Sequence, residues 1–227
     1  MNLSATAYLT QKEGSKVLAS ASIEINGSFA VNNIAVVRTG ENDLSVFMPS
    51  QRYPNRDGEI KHRPMVRAFN SAKKQIEDVV LNKCSSGNAE EMAKPDASVS
   101  KKTNLTVQAF MNHNEKNKFL ALASVTLDNS LRVDGLKVVV GQDNKLQVTM
   151  PSQKFIKDGK EEYKDVFLPV TAEAQKQLKD AVLKAFEVER DKKPSVLTAL
   201  KTAQARSQAE AKEKSTEKVP TVGKTEI

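Results

Sequence analysis

The tetrapeptide Met48-Pro49-Ser50-Gln51 recurs as Met150-Pro151-Ser152-Gln153, 102 residues further along the chain. The correspondence runs backwards without a gap: over positions 2–52 at that spacing, 20 of 51 residues are identical, among them Asn2/Asn104, Leu3/Leu105, Ala19/Ala121, Val31/Val133, Val36/Val138 and Leu44/Leu146. Where residues differ, the apolar class is often kept, as in Ile23/Val125, Ile25/Leu127, Phe29/Leu131 and Ile34/Leu136, which a shared buried face requires. Fixed-period identity of this length marks repeated structural units, so the 227 residues read as one small fold written twice. After the motif the copies slip by one residue, aligning Asp57-Gly58 with Asp158-Gly159, and the spacing of 102 returns at Ala72/Ala174, Gln75/Gln177 and Val80/Val182. The expected organisation is a unit at 1–84, a polar linker at 85–103 that contains Pro95, a second unit at 104–187 and a basic tail at 188–227. The tail permits a helix around Val196 to Lys214 but has few large apolar residues with which to build a core.

Within a unit the apolar residues first alternate at period two, which is the signature of half-buried strands. Leu3, Ala5, Ala7 and Leu9 form one such set, and Ala19, Ala21, Ile23 and Ile25 another, answered by Ala121, Ala123, Val125 and Leu127. Asn26-Gly27 and Asp128-Asn129 are hairpin-turn pairs between apolar runs, so antiparallel pairing follows. Further strands are expected at Ile34 to Val37 and Leu44 to Met48, with copies at Leu136 to Val140 and Leu146 to Met150. The period then changes: Ala174, Leu178, Ala181, Val182 and Ala185 recur at spacings of three and four, with Thr171 placed to cap, and Ile76, Val79 and Val80 do the same in copy one. The fold class expected is α+β, with two repeated units, each an antiparallel four-strand meander closed by a C-terminal helix, paired with each other as an internal pseudo-dimer.

Several function classes find no support. No apolar run approaches the roughly 18 residues of a membrane span, and the polar start at Asn2, Ser4 and Thr6 lacks a signal peptide's blocks, so a cytoplasmic protein without membrane contact is expected. One cysteine, Cys84, and two histidines, His62 and His113, supply neither an intrachain disulfide nor a structural zinc site. Cys84 reads as a small buried hydrophobe at the end of the first helix, where Phe186 ends the second. No nucleophile and base arrangement is repeated between copies and no phosphate-binding glycine loop occurs, so neither enzyme activity nor a cofactor or metal is expected.

The formal charge of +7, from 35 bases and 28 acids, points to an acidic partner, and its position matters more than its sum. Copy one and the tail carry the excess. After the motif, Arg52, Arg56, Lys61, Arg63 and Arg67 face only Asp57 and Glu59, with Tyr53 and His62 interleaved, and Lys73 and Lys74 at the following helix start extend the set. The same loop in copy two balances Lys154, Lys157, Lys160 and Lys164 against Asp158, Glu161, Glu162 and Asp165. Arginine forks suit phosphate, and displacing counterions from a strand gives salt-dependent affinity, so the copy-one loop is the candidate DNA or RNA contact. The bland alternative is an ordinary solvated surface. The repeated motif, Met48, Pro49, Ser50, Gln51 with Met150, Pro151, Ser152, Gln153, reads as mainly structural: proline suits a strand end, and Ser and Gln satisfy backbone groups where pairing stops. Tyr53 and Phe155 read as core at a sheet margin before they read as stacking platforms.

The order of segments in copy two, Ala121-Leu122-Ala123-Ser124-Val125-Thr126-Leu127-Asp128, Val138-Val139-Val140, Met150-Pro151-Ser152, Tyr163-Lys164-Asp165, Leu168-Pro169-Val170 and Asp180-Ala181-Val182-Leu183, resembles the stage V sporulation protein G (SpoVG) family of septation regulators. Copy one carries the same skeleton but departs from it at Arg63-Pro64-Met65-Val66-Arg67, set against Asp165-Val166-Phe167-Leu168-Pro169. The resemblance implies small antiparallel sheets with a C-terminal helix, homodimers of single-unit chains paired through strands, and binding of DNA and RNA. Fusion of two units adds the expectation that the copies pair with each other and have less need of a second chain. The rival expectation is a module that recruits a protein partner along an exposed sheet edge.

Overall fold

In copy one, seven strands precede a helix: β1 (Leu3–Leu9), β2 (Val17–Ile25), β3 (Phe29–Arg38), β4 (Leu44–Phe47), β5 (Ser50–Pro54), β6 (Ile60–Pro64), β7 (Val66–Ala68) and α1 (Ser71–Ser85). Copy two repeats the order with β8 (Leu105–Met111), β9 (Ala121–Leu127), β10 (Leu131–Val140), β11 (Leu146–Thr149), β12 (Ser152–Lys157), β13 (Lys160–Asp165), β14 (Phe167–Pro169) and α2 (172–192). This computed structural model describes residues 1–10, 14–40, 43–69, 71–85, 102–114, 118–157 and 159–192, without the side chains of 156 and 157. The greater part of the expected linker, the helix expected at Val196 to Lys214 and Asp158 lie outside the described residues.

The period-two pattern buries one face of each meander, with Ala19, Ala21, Ile23 and Ile25 in copy one and Ala121, Ala123, Val125 and Leu127 in copy two all in the core. Both hairpin turns take left-handed backbone, at Asn26 (φ 53°) and Gly27 (φ 63°) and at Asp128 (φ 46°) and Asn129 (φ 53°), which explains the residue types there. The helices cover the sheets through stripes spaced by four: Ala72, Ile76 and Val80 on α1, and Ala174, Leu178, Val182 and Phe186 on α2. Thr171 Oγ1 accepts the Ala174 N–H at 3.1 Å, capping α2. Phe186 lies inside α2 and not at its end, which runs to 192, whereas Cys84 is half-buried near the end of α1, where burial raises its thiol pKa.

The meander-and-helix order is as expected, but each copy has more strands than four. The strands expected to begin at Ile34 and Leu136 begin five residues earlier, at Phe29 and Leu131. The basic segment expected as a loop is a two-stranded ribbon, β5 with β6, and copy two forms the matching ribbon of β12 with β13.

The copies are joined by a reciprocal strand exchange. β7 of copy one pairs with β10 of copy two, Val66 opposite Val133, Arg67 opposite Arg132 and Ala68 opposite Leu131. β14 of copy two pairs in return with β3 of copy one, Phe167 opposite Val31, Leu168 opposite Ala30 and Pro169 opposite Phe29. One edge of β3 is thereby shared: its second half pairs with β4 and its first half with β14. The change of partner falls at a bulge, where Asn33 (φ 63°) and its counterpart Gly135 (φ 96°) are left-handed and the β2 and β9 registers shift alongside. The ring of Phe167 stacks on Phe29 across the exchange, at 5.5 Å between centroids and 12° between planes. A second junction joins the two hairpin turns, where Asn26 Nδ2 donates to Asp128 Oδ2 and to Thr103 Oγ1, each at 2.9 Å. Residues Met1–Phe186 accordingly form one body around a continuous core.

The strand registers also correct the alignment of the copies. The one-residue slip persists through β7, because Met65 N–H bonds to Pro49 O and Val166 N–H to Pro151 O in the same way. Leu168 is therefore the counterpart of Arg67, Asp165 of Pro64 and Pro169 of Ala68, so Pro64 and Pro169 are not counterparts of each other.

Candidate nucleic-acid interface

The copy-one ribbon turns at Asn55, whose Oδ1 accepts the N–H groups of Asp57 at 3.0 Å and Glu59 at 2.8 Å, while Gly58 takes φ 80°. Side chains alternate across a two-stranded ribbon, so the cations divide between its faces. Arg52 lies opposite His62, on the face where Ser50 Oγ and His62 Nδ1 are 3.2 Å apart. Lys61 and Arg63 lie opposite Tyr53 and Gln51 on the other face, and Arg56 sits in the turn. Tyr53 is 43% exposed and is not core as expected; Phe155 is half-buried under the ammonium of Lys164 at 5.6 Å. Lys73 and Lys74 are exposed on α1, where Lys73 reaches Glu77 at 3.9 Å.

Arg67 is not on the ribbon. The exchanged strand β7 carries it to copy two, where its Nη2 lies 2.5 Å from Asp134 Oδ2. Arg132, directly opposite on β10, donates from Nε to Asp134 Oδ1 at 2.8 Å, from Nη2 to Ser124 Oγ at 3.0 Å and from Nη1 to Gln108 Oε1 at 3.2 Å. The carboxylate thus holds two guanidinium groups side by side. Its side chain is only 10% exposed; burial by itself would raise its pKa, but the hydrogen bonds from Arg132, Arg67 and Ser124, with the Arg132 charge, together outweigh burial and take it from 3.8 to about 2.

These groups line a cleft of about 500 Å³ between the copy-one ribbon and the copy-two sheet. Arg63, Arg67, Arg132 and Lys137 are its cations, Asp134 its acid, and Phe110, Leu122 and Met150 its apolar wall. Gln51, Pro151 and Ser152 of the repeated motif also line it. Pro49 and Pro151 are buried, and Gln153 Nε2 donates to Ser50 O at 2.6 Å, so the two motifs meet. Of the residues singled out in the sequence, the structure brings Arg63 and Arg67 into this cleft, while Arg52, Arg56, Lys61, Lys73 and Lys74 lie outside its lining. Arg132, Asp134 and Lys137 were missed, because copy two has almost no net charge in sum. A signal was present in the repeat: charges stand in a strand of copy two where copy one has Ala30, Asn32 and Ala35. In the copy-two ribbon Lys154 is ion-paired with Glu161, which raises the lysine pKa.

The depressed pKa of Asp134 carries a stability prediction. A carboxyl that titrates lower in the folded chain contributes fully above its ordinary pKa and loses that contribution as pH falls from about 4 towards 2. Asp134→Asn is expected to cost on the order of 1–2 kcal/mol at pH 7, discounted for the exposure of Arg67, with the gap to the parent protein closing below pH 4. Denaturant unfolding at pH 7 and pH 3 checks this, and a gap that stays constant would refute it.

Among the described residues, no group of three or more His, Cys, Asp or Glu side chains converges as a metal site, and no helix is long and apolar enough to cross a membrane. Fold and cleft together define a class: two meander-and-helix units on one chain that complete each other's sheets and frame a basic concave face. The profile of the SpoVG family matches residues 2–86 and 101–188. The chain belongs to the SpoVG family, as a tandem duplication of its unit. Relatives carrying the name septation protein SpoVG each match about one unit. That of Archaeoglobus fulgidus is 51% identical over 67 residues, covering 30% of this chain and 74% of its own. That of Thermoanaerobacter sp. (strain X514) is 40% identical over 74 residues, covering 33% and 76%, and that of Finegoldia magna is 33% identical over 85, covering 37% and 75%.

Proposed function

We propose that this chain is a non-enzymatic regulatory protein of the SpoVG type, acting in the cytoplasm in septation, sporulation or gene regulation by binding DNA or RNA through phosphate. One observation carries the reading: cations from the copy-one ribbon and the copy-two sheet converge on one concave face, and neither Arg63 nor Lys137 forms an ion pair there among the described residues. Arg52, Arg56 and Lys61 on the adjoining ribbon extend the positive surface, with Lys61 shared with Glu59 at 3.6 Å. Because the copies already pair through β7 and β14, the chain acts as a monomer, a state that sedimentation tests.

Affinity for oligonucleotides is expected to fall steeply with salt, each displaced phosphate contact adding roughly 0.7 to the log–log slope for single strands and roughly 0.9 for duplex. Charge reversal at Arg52, Arg56, Lys61 and Arg63 should weaken binding more than reversal at Lys154, Lys157 and Lys164; Arg67 is left in place because Asp134 depends on it. Absence of binding at low salt, or binding indifferent to salt, would defeat the proposal.

A second reading has its own observation. β1 and β8 end their sheets, with Tyr8, Leu9 and Phe110 exposed on them, so a protein partner could add a strand there. A stoichiometric protein partner retained through nuclease treatment, with no oligonucleotide binding, would favour it.

A further inference from the structure

The strand exchange creates two related faces, one framed by the copy-one ribbon over the copy-two sheet and the other by the copy-two ribbon over the copy-one sheet. In a pair of identical units both faces would carry the same groups. Here they do not. Arg67 opposite Arg132 is matched by Leu168 opposite Ala30. Lys137, opposite Leu122, is matched by Ala35 opposite Ser20, and Arg63, opposite Gln51, by Lys164 opposite Gln153. Asp134, whose N–H bonds to Met65 O, is matched by the neutral Asn32, whose N–H bonds to Val166 O. One face therefore holds four cations around one carboxylate, with the Lys137 ammonium 5.8 Å from the Phe119 ring; its counterpart has one lysine, Lys164, over Phe155, beside Asp165, which stands where the first face has Pro64.

The charged face is built and not merely exposed. Arg132 is fixed by Asp134, Ser124 and Gln108, and Asp134 in turn fixes Arg67, so two guanidinium groups are kept close despite their repulsion. Arg63 and Lys137 stand on opposite walls of the cleft, from the ribbon and the sheet. Phe110, 56% exposed, stands with Leu122 and Met150 as the apolar part of the lining. Cations beside an exposed ring and an apolar wall suit a phosphate whose base is unpaired and able to stack; a duplex offers phosphates on a convex surface with its bases already stacked inside.

We propose that duplication has made this protein one-sided: it binds one single-stranded nucleic acid per chain, in the cleft between the copy-one ribbon and the copy-two sheet, and the related face does not bind. This rests on the nucleic-acid reading above and deepens it. The test uses the full chain with a fluorescein-labelled mixed-sequence single strand of about one cleft's reach, a matched duplex, and stoichiometric titration at low salt. Expected are one strand per chain and preference for the single strand over duplex. Arg63→Ala with Lys137→Ala should lose at least ~10-fold in affinity and lower the salt slope by roughly 1.4, while Lys164→Ala changes affinity less than ~2-fold. Phe110→Ala should reduce the preference for the single strand. All these side chains are exposed, and unchanged melting temperatures confirm that the variants fold.

Two strands per chain, or equal losses from Arg63→Ala and Lys164→Ala, would overturn one-sidedness and leave nucleic-acid binding standing. Equal affinity for the duplex would overturn the single-strand assignment. No binding of either oligonucleotide at low salt would remove the underlying reading together with this one.

Discussion

Phe167→Ala is expected to cost about 3–5 kcal/mol, the range for truncating a buried aromatic, and to destabilise both copies at once. Phe167 is fully buried, and its ring lies against Phe29 from the other copy, so truncation opens a cavity in the exchanged sheet itself. Its counterpart across the pseudo-symmetry is Val66, opposite Val133, where there is less to remove. Val66→Ala should therefore cost less, about 2 kcal/mol. Denaturant unfolding followed by near- and far-ultraviolet circular dichroism measures both. A single cooperative transition shifted by Phe167→Ala is the outcome expected of a shared core. Two separable transitions, with only one moved, would show that the copies fold independently and that the exchange contributes little.

Asn26→Asp is expected to cost about 3 kcal/mol or more at pH 7, because it turns a donor and acceptor facing each other into two facing carboxylates. Asn26 is fully buried, and its amide serves Asp128 and Thr103 while its Oδ1 accepts the Asn2 N–H at 2.9 Å. Asp128 does the same for Asn104, accepting its N–H at 2.9 Å, so each turn residue ties down the start of its own unit and the pair ties the two units together. The loss should shrink at pH 4, where one of the two facing carboxyls of the variant can take up a proton and donate. Asp128→Asn leaves one carbonyl oxygen where two carboxylate oxygens accept, from Asn26 Nδ2 and from the Asn104 N–H, so one of these bonds is lost; without facing charges the cost should be smaller, about 1–2 kcal/mol. Thermal melts of the two variants at pH 7 and pH 4 decide it; an Asn26→Asp loss that is small, or identical at both values, would refute the account. An Asn facing an Asp is complementary only when unlike copies meet, which ties this junction to the fused chain.

Much of the fold was legible because its signals are local. Alternation at Ala19, Ala21, Ile23 and Ile25, the Asn26-Gly27 turn and the stripe at Ala174, Leu178 and Val182 each report a period or a backbone angle that a short window contains. The copy-one ribbon carries no strand signal because β5 and β6 have no buried face: their residues are mostly exposed and polar, so neither strand shows the alternation by which strands are recognised. The first halves of β3 and β10 are hidden for a different reason: they do bury Phe29, Val31, Leu131 and Val133, but the bulge at Asn33 and Gly135 breaks the alternation in mid-strand. The candidate site was half legible. Arg63 could be found by counting charge along copy one, but the cleft's other wall is some 70 residues away in sequence, in a copy whose own charges cancel.

By itself the sequence determined that the chain is a duplicated meander-and-helix unit, since a repeat of 102 residues and its periodicities are properties of the order of residues alone. Only the tertiary structure decided which strands belong to which sheet. β7 and β14 are three residues long, too short to declare a partner, and they leave their own copies because the first halves of β10 and β3 offer unpaired backbone beyond the bulge. That exchange alone sets Arg67 beside Arg132 and Asp134, and so turns charges scattered over two copies into one face.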